Sequence, residues 1–410
     1  MSLLNGILGF FWFPIADLTL QDVVHILAIG LIVDLCWGFL CKLVINYENF
    51  RVSMKEQLSE RRKEYTPFVS IIVPCHNSEE VIEDTITSLM SLDYPNIEII
   101  VVDDASSDKT CEKVSKYAGE VTLVRRATST GRKTGATNFG LTFAKGDIIL
   151  VIDDDTTVAQ DALRPLVKSL QSPDVGACGG NVQVKAQKQN FLAKLQSTEY
   201  LASMELGRPF QNYVYKAVFV ISGCFGAFKR DILEKIGQYD TDIITEDLDV
   251  TWKVYKLRKR VLYVRDAVCY TDVPTKVRDL IRQRTRWDKG LFETFSKHRN
   301  LFLKRRFGSI GIILLPEALF MEVIMFLLRP TWLVTLWVFH YSILQTLLLT
   351  VYFYVLLEFF QTFTAGLISN ERKNALKAFY APLMFCYRQF LGIVRLRAII
   401  LHLSKKKMKW

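Results

Sequence analysis

Val69-Ser70-Ile71-Ile72-Val73-Pro74 begins a pattern in which short apolar runs alternate with amphipathic ones. Four of its first five residues are β-branched, which favours a strand, and Pro74 is predicted to end that strand. Asn77 is predicted to cap the helix that follows, with Glu80 as its capping-box partner. Residues 97–102 and 148–152 are predicted to form further buried strands. Strands that alternate with helices predict an α/β domain with a mostly parallel sheet covered on both faces.

Polar residues follow the predicted strands at the point where each strand ends. Residues 74–77 follow the first strand, Asp103-Asp104 the second, and Asp153-Asp154-Asp155 the strand over 148–152. Because ligands of such sheets bind beyond the carboxyl ends of the strands, one cleft is expected to collect all three groups. Taken alone, the Asp103-Asp104 segment could equally be a solvated turn. Three adjacent carboxylates repel one another, so Asp153 to Asp155 predict a bound divalent cation.

Two nucleotide-binding motifs are excluded by the sequence. Gly131-Arg132-Lys133-Thr134 lacks the glycine spacing of a P-loop, and no G-x-G-x-x-G fingerprint is present. A helix is predicted over residues 135–145, directly after Lys133. Lys133 could therefore be a surface lysine or a cation aimed at the predicted cleft.

A second cluster of polar residues lies further along the chain. If Gln283-Arg284-Thr285-Arg286-Trp287 is helical, then Gln283, Arg286 and Trp287 share one face. An amide, a guanidinium and an indole on one face suit a polar, ring-shaped and anionic ligand. Thr245-Glu246-Asp247 lies upstream and could supply a general base.

The 410 residues are 50% hydrophobic, and the excess of apolar residues lies at the two ends. Residues 23–45 are apolar for long enough to span a bilayer. Lys and Arg are frequent after this run and absent before it, which predicts a multi-pass cell-membrane protein with its catalytic domain in the cytosol. Residues 379–403 could instead be an interfacial helix. The predicted division is a membrane segment (1–47), a basic linker (48–65), a mixed domain (66–300) and transmembrane and interfacial helices (301–410).

The formal net charge of +10 raises the question of nucleic acid as a partner. Much of the excess flanks the apolar segments, where it would set topology and contact anionic membrane lipid. No nucleic-acid partner is therefore predicted. The eight cysteines lack metal-ligand spacing and are expected to be reduced thiols.

With these motifs in this order, the chain resembles the membrane-embedded, processive family 2 glycosyltransferases, which are the synthases of cellulose, hyaluronan, chitin and poly-N-acetylglucosamine. The resemblance covers about residues 66–300 and extends to the flanking apolar segments. It implies a GT-A-like fold, meaning a Rossmann-like and mostly parallel sheet, flanked by membrane helices. It also implies a UDP-sugar donor, Mg²⁺ or Mn²⁺ as cofactor, and a growing polysaccharide or lipid-linked acceptor.

The resemblance further implies roles for individual residues. Asp247 would be the general base and Asp155 the metal ligand, while Glu246 and Trp287 would bind the acceptor. A single base implies direct displacement with inversion at the anomeric carbon. The residues that would bind the nucleotide sugar are Pro74, Asn77, Asp104, Lys133, Asp153, Gln283 and Arg286.

The sugar is indicated by further stretches of the sequence. Residues 221–229 and Gln196-Ser197-Thr198-Glu199-Tyr200 look like poly-N-acetylglucosamine synthases, whereas Tyr270-Thr271-Asp272-Val273-Pro274 looks like hyaluronan and chitin-oligosaccharide synthases. Polymerisation of N-acetylglucosamine from UDP-GlcNAc, with export of the product across the membrane, is therefore expected. The alternatives are a hyaluronan, chitin or cellulose synthase, a non-processive enzyme that acts on a lipid, and a catalytically silent export subunit. An export or regulatory subunit, or a second copy of the chain, is a possible partner for translocation.

Overall fold

The computed structural model of the chain describes residues 65–185, 190–324 and 343–404. Eight strands form one mixed sheet. They are β1 (Val69–Cys75), β2 (Ile97–Asp103), β3 (Val121–Arg125), β4 (Ile148–Ile152), β5 (Thr157–Val158), β6 (Val175–Val184), β7 (Phe225–Lys229) and β8 (Arg260–Thr271). Their spatial order is β3-β2-β1-β4-β7-β6-β8-β5.

The first helices cover this sheet, and the later ones extend beyond it. In chain order they are α1 (Ile82–Met90), α2 (Thr110–Ser115), α3 (Lys133–Leu141), α4 (Leu163–Ser169), α5 (Phe191–Ala202), α6 (Arg208–Val214), α7 (Arg230–Lys235), α8 (Glu246–Lys256), α9 (Val277–Lys297), α10 (Leu315–Leu319), α11 (Ile343–Ile368) and α12 (Ala381–Leu403). A π-helical turn, Ser203–Gly207, joins α5 to α6. A 3₁₀ helix, Arg372–Tyr380, joins α11 to α12.

Most strands of the sheet run in one direction, as predicted, and β6 and β8 are also parallel to each other. Strands β1, β2, β3 and β4 are mutually parallel, and β1 is buried along its whole length. Strand β7 is antiparallel to both of its neighbours, β4 and β6. It starts at the end of the sheet where β6 finishes, so it must run in the opposite direction. The α/β fold and the mostly parallel sheet are confirmed: among the described strands β7 and β5 run opposite to the other six, which makes the sheet mixed.

Two local predictions near β1 are wrong. The strand continues through Pro74 to Cys75, because its pairing with β4 has already ended at Ile72 while its pairing with β2 continues. Proline, which lacks an N–H group, is tolerated where one edge of a strand is unpaired. Helix α1 begins at Ile82, and Asn77 does not cap it. Asn77 has a φ of 54° and uses its side chain in a turn instead.

Close packing fixes the helix that carries Lys133 against the sheet. Helix α3 begins at Lys133 and ends at Leu141, earlier at both ends than predicted. A Cβ atom on Gly140 would lie 2.8 Å from methyl groups of Ile72 and Val102. Glycine at this position lets α3 lie directly on β1 and β2, so the amino end of the helix is held at the carboxyl ends of these strands.

The carboxyl-terminal helices pack beside the domain that contains the sheet. Asp288 of α9 and Arg395 of α12 form an ion pair at 3.1 Å. Large apolar side chains remain exposed on α11 and α12, among them Leu348, Phe360, Ile393 and Ile400. Within the described residues, no helix meets the length and hydropathy needed to span a membrane. The predicted membrane segment at 23–45 lies outside the described residues, and the predicted transmembrane and interfacial region, 301–410, is described only in part.

Candidate active site

The turns after β1 and β2 are tied together at the edge of the sheet. The backbone N–H of Asp104 donates to the Cys75 carbonyl at 2.9 Å. The Asn77 backbone N–H donates to Ser106 Oγ at 2.9 Å, and the Asn77 side-chain oxygen accepts from the Ser107 N–H at 2.9 Å. These bonds bring Asn77 and Asp104 to one rim of the cleft, where the sequence predicted them.

Asp104 also holds the loop that precedes α3. Its carboxylate accepts hydrogen bonds from Ser129 Oγ at 2.6 Å and from the Thr130 N–H at 3.3 Å. Arg126 pairs with the other carboxylate oxygen at 3.2 Å. Asp104 is 5% exposed, so these partners replace the water that a free carboxylate would bind. The residue therefore anchors a loop at the cleft, which the sequence did not indicate.

The three carboxylates after β4 lie in three different environments. Asp153 forms an ion pair with Lys133. Asp154 accepts a hydrogen bond from the Ser78 hydroxyl group. Asp155 accepts hydrogen bonds from Thr156 and Thr271, each at 3.1 Å. Burial, together with the charges of Asp153 and Asp154, raises the pKa of Asp155 to about 7.

The carboxylates that follow β4 suit a metal ion that is also coordinated by phosphate groups of a substrate. Across the described ranges, no group of three or more His, Cys, Asp or Glu side chains could hold a metal ion by itself. Mg²⁺ in nucleotide sites is commonly held by one or two carboxylates together with substrate phosphates and water. Asp155 and Asp153 can supply those carboxylates. A cation here would relieve the repulsion that raises the pKa of Asp155.

Lys133 connects the carboxylates after β4 with those at the start of α8. Its Nζ donates to the Gly223 carbonyl at 2.7 Å, pairs with Asp153, and lies 4.0 Å from Glu246 Oε1. Burial disfavours the ammonium form, but the charges of Asp153 and Glu246 outweigh it and raise the pKa of Lys133. A permanent cation therefore lies between the two acidic groups.

Glu246 and Asp247 form a half-buried acidic pair at the first turn of α8. Asp247 accepts from the Gly223 N–H at 3.3 Å and from the Leu248 N–H at 2.8 Å. Burial raises the pKa of Asp247, against the opposing effects of these N–H groups and Lys133. Burial also raises the pKa of Glu246 to about 7, although Lys133 lowers it in part. Carboxyl groups with raised pKa values in a cleft are candidates for acid–base chemistry.

Helix α9 carries the predicted face of Gln283, Arg286 and Trp287, so the prediction of a helix there is confirmed. Among the described residues, the Gln283 side-chain oxygen is buried and has no hydrogen-bond partner. A buried acceptor of this kind is normally satisfied, and a donor group on a bound ligand would satisfy it. Arg286 and Trp287 are half-buried on the same helix.

Gly290 sets the distance between α9 and the acidic pair. A Cβ atom on Gly290 would lie 2.4 Å from Thr245 Cγ2, and Thr245 directly precedes Glu246. Thr294 Oγ1, one turn further along α9, lies 3.1 Å from Thr245 Oγ1. The close contact brings the helix of Gln283, Arg286 and Trp287 against the segment that carries Asp247.

Replacing Gly290 by alanine should separate these two segments. We expect Gly290→Ala to lower the free energy of unfolding by about 1–3 kcal/mol, the usual cost of overpacking, and to reduce catalytic turnover as well. Gly207→Ala is the matched control, because a Cβ there meets only the Ala202 carbonyl oxygen at 4.0 Å. Chemical denaturation of both variants measures the difference. Equal stability of the two variants would show that α9 does not depend on this contact.

Several site residues were missed by the sequence reasoning. Gly223 offers its N–H to Asp247 and its carbonyl to Lys133, and Thr271 holds Asp155. Both lie in stretches that the resemblance had singled out, 221–229 and 270–274. Their roles come from backbone groups and a hydroxyl, which carry no distinctive sequence signal.

The fold and this arrangement define a GT-A-like α/β glycosyltransferase domain. Residues 70–237 match the model of the family described as glycosyl transferase family 2, so the chain contains a domain of that family. Poly-beta-1,6-N-acetyl-D-glucosamine synthase of Staphylococcus epidermidis is 31% identical over 252 residues, which are 61% of this chain and 60% of that protein. The synthase of the same name from Staphylococcus aureus strain COL is 31% identical over 253 residues, 61% of each chain. The match thus spans about three fifths of the length of these relatives.

A solved structure shares the fold. Mannosyltransferase PcManGT from Pyrobaculum calidifontis, in complex with GDP-Man and Mn²⁺, aligns with a TM-score of 0.59 at 24% identity. The alignment covers 94% of this chain and all of that one.

Proposed function

We propose that the protein is an inverting glycosyltransferase that transfers a sugar from a UDP-sugar to a hydroxyl group of an acceptor. The observation that carries this proposal is the position of Lys133, between the carboxylates after β4 and the acidic pair of α8. One side of Lys133 has groups suited to a diphosphate and a metal ion. The other side has Asp247, a half-buried carboxylate that can act as a base. The family 2 domain supports the same chemistry.

Asp247 is proposed to act as the base. The acceptor hydroxyl loses its proton to Asp247 as its oxygen attacks the anomeric carbon, and the bond from that carbon to the diphosphate breaks. Asp247 suits this role better than Glu246, because Glu246 faces the Lys133 ammonium group while Asp247 is oriented by Gly223 and Leu248. A single base on the side opposite the leaving group gives inversion.

The leaving diphosphate requires positive charge. Lys133 and Arg286 are proposed to supply part of it, while Gln283 offers its unpaired oxygen to a donor on the ligand. Asp155 and Asp153 would hold Mg²⁺ or Mn²⁺, and such an ion stabilises phosphate oxygens as a Lewis acid. Pro74, Asn77 and Asp104 line the rim where the nucleoside would lie.

N-acetylglucosamine is the proposed sugar and an extracellular polysaccharide the proposed product. The relatives in both Staphylococcus species are named as poly-beta-1,6-N-acetyl-D-glucosamine synthases. We further propose a multi-pass cell-membrane location with the catalytic domain in the cytosol, supported by the apolar run at 23–45 and by the Lys and Arg residues after it. Processive synthesis and translocation are part of the same proposal.

The fall in kcat/KM at low pH should depend on protonation of the acidic pair, Glu246 and Asp247. Asp247 must be ionised to accept a proton, so kcat/KM should fall by about tenfold for each pH unit below the pKa of the free enzyme's base. Burial raises that pKa, and the neighbouring Glu246 titrates at about 7. We therefore expect the fall to begin well above the ordinary Asp value of about 4. Steady-state rates across pH measure this, and a fall that begins only near pH 4 would contradict it.

The proposal is tested by measuring UDP release from the purified full chain with a panel of UDP-sugars, in Mg²⁺ and in Mn²⁺, followed by sizing of the product. Release from UDP-GlcNAc with a ladder or polymer as product supports the synthase. A single glycosylated lipid would replace it with the non-processive alternative. No release with any UDP-sugar and acceptor would replace it with the export subunit.

A further inference from the structure

The stretch 196–200, which the proposed chemistry does not use, contributes a buried ion pair beside the site. The Glu199 carboxylate accepts a hydrogen bond from each terminal nitrogen of Arg284, at 2.9 and 2.8 Å. Tyr387 of α12 donates a third hydrogen bond to Glu199, at 2.9 Å. The two charged side chains are only 20% and 11% exposed. Three elements, α5, α9 and α12, thus meet at one carboxylate.

The same guanidinium group lies over an aromatic ring of the site. Arg284 Cζ is 4.4 Å from the centroid of the Trp287 ring, one turn further along α9. A cation over an indole face is attracted by the ring quadrupole. Because Arg284 occupies this face, only the opposite face of the indole can pack against a sugar ring.

The pKa of Tyr200 is affected by the charges of this ion pair and of Asp155. Burial raises the pKa of Tyr200, which follows Glu199 in the chain. Arg284 partly opposes the rise, while Glu199 and Asp155 add to it. Tyr200 therefore interacts electrostatically with the Glu199–Arg284 ion pair and with Asp155, which follows β4.

We propose that Glu199 and Arg284 are positioning residues for the acceptor. Glu199 fixes the guanidinium plane by a two-point hydrogen bond, and Arg284 in turn fixes the plane of the Trp287 ring. The acceptor sugar then packs on the free face of that ring, with its hydroxyl group toward Asp247. The inference rests on the proposed function, since it assigns to Trp287 the acceptor end of the transfer reaction.

Two variants separate this role from donor binding. Glu199→Gln removes the carboxylate charge, and Arg284→Lys keeps the positive charge but loses the planar two-point geometry. We expect both to raise the KM for an oligosaccharide acceptor by about tenfold, as lost packing against a disordered ring predicts. The KM for the UDP-sugar should be unchanged. Asp279→Asn is the control on the same helix, because its pair with Arg282 at 3.7 Å is half-exposed.

A second measurement follows the indole itself and needs no turnover. The protein has seven tryptophans, and labelling with 5-fluorotryptophan gives each a ¹⁹F resonance. The Trp287 signal is assigned by its loss in Trp287→Phe. We expect it to shift and broaden in Glu199→Gln and Arg284→Lys but not in Asp279→Asn. If Glu199→Gln does not fold, Arg284→Lys still decides, because it leaves the buried charges paired.

The possible outcomes are distinct. An unchanged Trp287 resonance would overturn the proposal, as would equal increases in donor and acceptor KM, which indicate a general structural role. Absence of acceptor-dependent UDP release from the unaltered protein would overturn the proposed function instead. In that case the ¹⁹F spectra still show whether the ion pair orients the ring.

Discussion

Asp247→Asn should reduce kcat by about 10²–10⁴-fold, the usual contribution of a positioned general base. Asparagine keeps the shape of the side chain, but its single oxygen can accept from only one of the Gly223 and Leu248 N–H groups, which bond to different oxygens of Asp247. It cannot take a proton from the acceptor hydroxyl. The dissociation constant for the UDP-sugar should remain unchanged, because the diphosphate side of the site is intact. Initial rates and calorimetric binding of the donor measure the two effects.

Stability provides the control for this variant. Burial disfavours the Asp247 carboxylate, as its raised pKa indicates, whereas the neutral amide loses one of the two N–H hydrogen bonds, so the melting temperature should change little. Asp231→Asn alters an exposed pair with Lys235 and should have wild-type rates. Retention of more than about a tenth of the wild-type kcat in Asp247→Asn would exclude Asp247 as the base.

Asp155→Asn should have the second largest effect, a loss of about 10²–10³-fold in turnover with a matching loss of affinity for Mn²⁺. The reason lies in the three adjacent carboxylates, whose repulsion a bound cation relieves. Without metal, the variant should unfold at a higher temperature than the unaltered protein, because one repelling charge is gone. With Mn²⁺, the unaltered protein should gain stability and the variant should not.

Thermal unfolding with and without Mn²⁺ therefore tests the metal ligand independently of activity. Asp161→Asn is the matched control, since Asp161 is an exposed carboxylate a short distance further along the chain. Equal stabilisation of Asp155→Asn and the unaltered protein by Mn²⁺ would contradict the assignment of Asp155.

The central strands were predictable because they are short, apolar and buried. Residues 148–152 form β4 as predicted, and β2 extends the predicted 97–102 by one residue to Asp103. Continuous β-branched runs have few alternatives to a buried strand. The direction of β7 was not predictable from such a run. Direction depends on how α5 and α6 return the chain to the sheet, and no local pattern records that path.

The candidate site was predictable in outline for a related reason. Asp104, Asp153 and Asp155 follow strands, and the carboxyl ends of parallel strands share one edge. The specific partners were not predictable: Asp104 holds a loop, and Asp154 pairs with Ser78. Glu199 and Arg284 lie 85 positions apart in sequence, so their contact depends on the packing of α5 against α9.

The most direct test of the proposed mechanism is the anomeric configuration of the sugar that the enzyme transfers. The purified chain would be given UDP-GlcNAc, whose sugar is α-linked to the diphosphate, together with an acceptor and Mn²⁺. Proton NMR of the product then measures the configuration at the new linkage. A single base at Asp247 predicts inversion, and therefore a β-linked product. An α-linked product would contradict direct displacement and, with it, the role assigned to the acidic pair of α8.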